Sequence, residues 1–139
     1  MKIKLRTYDE GQHLFDHCFF ILNKGMNSGK PSFTPWKNCF VAQFDSEDEF
    51  DYAYWMCYGL WVTRKLHPYL NGSVIPFICK DDLLLALELA DAAIHDRKDL
   101  YMQSIELLYE AEHNRNLLIA KAANLQKAKT EILNHFIRI

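Results

Sequence analysis

Glycine and proline are scarce in this chain, five and four among 139 residues, so few places are marked for a turn. Two of the glycines and two of the prolines fall together within residues 23–38. A charge excess is also missing. Sixteen basic against 18 acidic residues leave a net charge of −2, which argues against a generally basic coat for nucleic acid. No apolar run reaches the roughly 18–20 residues needed to span a bilayer. The longest uncharged, apolar-rich stretch, YAYWMCYGLWVT at 52–63, reads as a buried helix, and no membrane association is expected. The opening residues, MKIKLRTYDEGQ, carry no apolar run of signal-peptide length, so the expected location is cytoplasmic. Cys18, Cys39, Cys57 and Cys79 form no CxxC pair and are expected as reduced, buried thiols. Their spacing does not suit zinc, even with His13 and His17 added; no metal and no cofactor is expected.

What is present is core-forming material. Half of the residues are hydrophobic and 14% are aromatic, enough to fold one domain of this length around a buried core. Alternation over residues 2–8 predicts a half-buried strand, and the apolar runs CFFIL (18–22) and CFVAQF (39–44) predict two more. Ser46 with Glu49 forms a capping box, and three acids at 47–49 suit the positive end of a helix dipole. The helix that begins there is expected to reach about Leu66, with stripes Phe50, Tyr54, Tyr58, Trp61 and Trp55, Val62, Leu66. Pro76 demotes SVIPFI to an edge or bulged strand. From Asp81 the pattern is helical, in three segments: 83–95, 100–112 and 117–137. Nine acids against two basic residues in 81–112, then five basic residues against one acid in 113–139, predict antiparallel packing of the last helix. A partner or dimer surface on that helix is the alternative. The expected fold is α+β: one domain over 1–139, with a small, mainly antiparallel sheet packed on the aromatic helix (about 1–80) and a helical C-terminal half (about 81–139).

The 23–38 loop is the candidate site. GMNSGKP approaches a phosphate-binding loop, but three residues separate its glycines where four are needed. Pro31 stands in place of the magnesium-binding hydroxyl, and two prolines within five residues oppose the following helix. A nucleoside triphosphate site is therefore not expected. The loop does carry Lys24, Lys30 and Lys37 with no acid, together with Asn27, Ser28, Phe33 and Trp36. Ammonium groups for phosphates and rings for bases are what a single strand of nucleic acid requires. Arg64 and Lys65 extend the patch if they fold nearby. The plainer expectation is that the rings pin the loop to the core and the lysines solvate it. Scattered histidines and the absence of a nucleophile elbow give no catalytic residue. The expected function is a non-enzymatic binding module that contacts nucleic acid or a partner protein. The alternatives are a dimer formed through the C-terminal helices, or an enzyme with a composite site.

The blocks FFILNKGMNSGKP, NCFV, YWMCYGLW and HPYLNGSVIPFI, in that order over 18–79, resemble an uncharacterised family of small proteins from Bacteroides-type bacteria. Its members are often associated with mobile or conjugative elements. The resemblance implies a bacterial cytoplasm and proximity to mobile DNA, and transfers no activity.

Overall fold

The structure, a computed structural model, describes residues 3–14 and 16–139. Four strands form one antiparallel sheet in the order β1-β4-β2-β3: β1 Lys4–Thr7, β2 Cys18–Leu22, β3 Pro31–Ser32 and β4 Cys39–Gln43. β2 and β4 are the central pair, in register from Cys18 opposite Gln43 to Leu22 opposite Cys39. Both match their expected positions. The first strand is shorter than expected, and Lys2 lies outside the described residues.

Alternation gives the central strands two apolar faces. On one face Phe19 packs against Phe50 and Tyr54 of helix α1, Glu47–Val62, at ring separations of 5.6 and 5.3 Å. On the other, Phe20, Cys39 and Val41 are covered by Tyr8, Leu14, Cys18 and Trp36. The start of α1 is capped as its sequence predicts: Ser46 Oγ accepts the Glu49 N–H at 3.2 Å.

Three expectations are corrected. α1 stops at Val62 rather than near Leu66, because Arg64 adopts a left-handed conformation that ends it. The 73–78 run forms no strand; Phe77 alone makes isolated bridges, to Lys24 and Asn71, since the neighbouring Pro76 has no N–H to extend a ladder. The helical part holds two long helices, α2 Lys80–Ile94 and α3 Lys98–Phe136, in place of three. Residues 112–117 contain neither glycine nor proline, so nothing stops the second helix there. A continuous helix cannot fold back on its own first half.

The chain divides into two compact units, Met1–Tyr101 and Met102–Ile139, with the boundary inside α3. Within the first, the Tyr52 hydroxyl donates to the Asp91 carboxylate and pins α1 to α2, and the Tyr101 hydroxyl, from the first turn of α3, donates to the Tyr52 carbonyl at 2.8 Å. The Tyr52 hydrogen bond and the nearby Lys98 ammonium contribute to holding the Asp91 carboxyl below its ordinary value. Within the second, residues 113–139 are all exposed. Among the described residues no helix is long and apolar enough to cross a membrane.

Candidate functional site

The GMNSGKP segment is the turn of the β2–β3 hairpin. Gly25 and Gly29 both hold positive φ, 101° and 96°, a conformation that other residues adopt only under strain. The turn is closed by its own backbone. The Ser28 N–H and hydroxyl both donate to the Gly25 carbonyl, at 3.1 and 2.6 Å. The Gly29 N–H donates to Leu22 O at 2.7 Å and the Lys30 N–H to Asn27 O at 3.0 Å. Three of the amides that would cradle a phosphate, those of Ser28, Gly29 and Lys30, are thus spent within the hairpin, and the chain continues into β3, not a helix.

Two contacts dock this turn on the end of α1. Gly29 lies under Leu66, and its carbonyl accepts from the buried Cys57 thiol at 3.4 Å. Burial pushes that thiol up to about 12, so it stays protonated as the donor. Lys30 Nζ lies 5.1 Å from the centre of the Trp61 ring, a cation–π arrangement. A third tie fixes the turn to the 71–78 loop, where the Gly25 N–H donates to Pro76 O and the Ile78 N–H to Asn23 O at 3.0 Å.

The end of α1 has an unusual cap. The Arg64 N–H donates to Trp61 O at 3.1 Å and the Lys65 N–H to Leu60 O at 3.0 Å, the pairing of a Schellman motif. Its left-handed position is normally glycine, and here it is Arg64, at φ 59°. The left-handed region costs a residue with a Cβ roughly 1 kcal/mol. Arg64, Trp61, Val62 and His67 then meet Met26 and Asn27 of the turn around a depression of about 440 Å³.

The candidate residues separate into groups. Asn27 and Arg64 come together at the depression, and Lys30 lies over the ring of Trp61, which also lines it. Ser28 is buried inside the turn, with its hydroxyl committed to Gly25. Lys24 is exposed beside Phe77. Trp36 packs on the sheet face opposite α1, as an anchor, and Lys37 follows it. Lys65 lines a different groove, between α1 and α2. Met26, Trp61, Val62 and His67 were not among the expected site residues. Trp61 belongs to an ordinary apolar stripe in the sequence, and only the fold brings Lys30 of the turn over its ring. Phe33 is 57% exposed but lies flat on Tyr54, 4.6 Å between ring centres.

The cysteines are all free. Cys18, Cys39 and Cys57 are at least partly buried; Cys79 is exposed, contrary to expectation, because it caps α2 at the surface. Among the described residues no three His, Cys, Asp or Glu side chains converge as a metal-binding group.

Comparison with curated proteins and with solved structures gives no significant match. Residues 5–135 match the profile of a family of unknown function, DUF6943, and the chain belongs to that family.

Proposed function

We propose that this member of the DUF6943 family is a non-enzymatic binding module whose contact surface is the junction of the 25–30 turn with the end of α1. The single observation behind this reading is Arg64, a cation at a left-handed cap where glycine is the unstrained choice. It stands at a depression shared with exposed Asn27 and Met26, beside the turn in which Lys30 reaches over Trp61. A cation held at a strained backbone position, at an exposed depression, points to a charge that is used.

The partner is a protein that presents an acidic, partly apolar segment. Exposed Met26 and Val62 flank Arg64, and apolar contacts of that kind suit a protein better than a phosphate backbone. A nucleic acid gains affinity from several cations along one track. Here Lys65 lines a different groove, and Lys37 is not among the residues around the depression. Arg64→Gly separates the two roles of the residue. It is expected to raise stability by about 0.5–1 kcal/mol through relief of strain, and to weaken partner capture by ten-fold or more. The measurement pairs thermal unfolding with capture from host lysate through a photo-crosslinking residue at Asn27, and Lys37→Ala serves as the neutral control. Equal capture by Arg64→Gly and the parent would end this reading. Oligonucleotide binding that Arg64→Gly abolishes would transfer it to nucleic acid. The four sequence blocks over 18–79 support a setting in the cytoplasm of a Bacteroides-type bacterium, near mobile DNA.

A second reading, self-association through α3, is supported by the row Leu118, Leu125, Ile132 and Phe136, all exposed at helical spacing. It predicts a mass that rises with concentration in sedimentation and returns to monomer in the Leu125→Asp/Ile132→Asp variant. A monomer at high concentration removes it.

A further inference from the structure

A second concavity of the first unit shares no lining residue with the Arg64 surface. It is a groove of about 530 Å³ between α1 and α2, within the size range of small-molecule sites. Its walls are Met56, Gly59 and Leu60 from α1 and Ala86, Ala90 and Ile94 from α2. Gly59 lies in the last turn of α1, where alanine is the better helix former. A Cβ placed there would meet nothing within 4 Å. The glycine is therefore not required by crowding, and its missing side chain widens the groove.

The polar groups are few and of one sign. Lys65 and Arg97 both line the groove and no acidic residue does. Among the described residues neither cation has an ion-pair partner. Two of the hydroxyls at the groove are committed elsewhere: Thr63 donates to Gly59 O at 2.6 Å and Tyr101 to Tyr52 O at 2.8 Å. That leaves the Tyr69 hydroxyl and the two cations as side-chain groups that a ligand's head group can meet along the groove. An apolar trough with two cations and no anion is complementary to an amphipathic anion. A guanidinium holds a carboxylate through two parallel hydrogen bonds. A polar ligand such as a nucleotide would leave its base edges unpaired against alanine, leucine and isoleucine. The C-terminal part of α3 from a second copy is disfavoured by charge, because 113–139 carries five basic residues against one acid.

We propose that the α1–α2 groove binds a long-chain carboxylate, its chain between the two helices and its head group at one of the two lining cations, Arg97 or Lys65. The test uses the full chain with dodecanoate and dodecanol, both below the concentration at which dodecanoate forms micelles, followed by calorimetry and by the fluorescence of Trp55 in the groove wall. The expected result is saturable dodecanoate binding, at least ten-fold tighter than that of the alcohol. Lys65→Gln with Arg97→Gln, both exposed, should leave folding intact, weaken the acid ten-fold and erase its advantage over the alcohol. Gly59→Leu should fill the trough and abolish both. Absence of saturable dodecanoate binding, or equal affinity for acid and alcohol in the parent chain, overturns the proposal. So does a dimer that Gly59→Leu dissociates, which would assign the groove to a second copy.

Discussion

Gly29→Ala is expected to destabilise the protein by about 2–5 kcal/mol and to lower its melting temperature by roughly 10 °C. Two costs add at this position. The backbone sits at φ +96°, where a Cβ is strained by roughly 1–2 kcal/mol. The new methyl would also lie 2.1 Å from Leu66 Cδ1. A leucine methyl can often swing aside, but Leu66 is only 1% exposed and its surroundings are filled. Overpacking of this kind costs about 1–3 kcal/mol. Gly25→Ala supplies the control. It has nearly the same φ, +101°, but open space where its Cβ would be, so it should lose only the strain, about 1–2 kcal/mol. Equal losses for the two variants in denaturant unfolding would show that the Leu66 contact does not hold the turn. Because that contact seats the turn on α1, Gly29→Ala should also displace Lys30 from Trp61, which the quenching of Trp61 would report.

Phe19→Ala is expected to cost about 3–5 kcal/mol, enough to leave a marginal domain partly unfolded at ambient temperature. Phe19 is 1% exposed at the centre of the sheet, and its ring meets Phe44 flat at 5.6 Å, with Phe50 and Tyr54 edge-on. No neighbour can close the space, since each is itself held by the ring network around α1. Phe33→Ala removes a ring that stacks on the same Tyr54 from the exposed side. It should cost about 1 kcal/mol, the value of an aromatic pair without full burial. The comparison is made by urea unfolding, with unchanged slope showing that the native and denatured states are otherwise the same. A Phe19→Ala loss no larger than that of Phe33→Ala would mean that the sheet–helix interface is not the core.

Much of the fold was legible because its signals are local. The apolar runs at 18–22 and 39–44 announce the two central strands, since only buried strands tolerate such runs. Ser46 and the three acids after it announce the start of α1. The two-residue strand Pro31–Ser32 was not legible, because two residues carry no periodicity and a proline argues against a strand. The single helix Lys98–Phe136 was read as two, because the polar run EHNRN resembles a break while offering none.

The candidate site divides in the same way. Composition alone determined that 23–38 is a basic, acid-free, glycine- and proline-bearing loop, and spacing alone removed the phosphate-loop interpretation. Which of its residues meet was decided only in three dimensions. The Schellman cap at Arg64 carries no glycine to mark it, so nothing in the sequence ends α1 at Val62. Once the helix ends there, Leu66 returns over Gly29, Lys30 comes over Trp61, and Arg64 joins Asn27. Trp36, in the same loop, goes to the opposite face of the sheet. Sequence patterns report what a residue needs from its immediate neighbours. The contacts that assemble this surface join segments some thirty to forty residues apart, and close packing sets them.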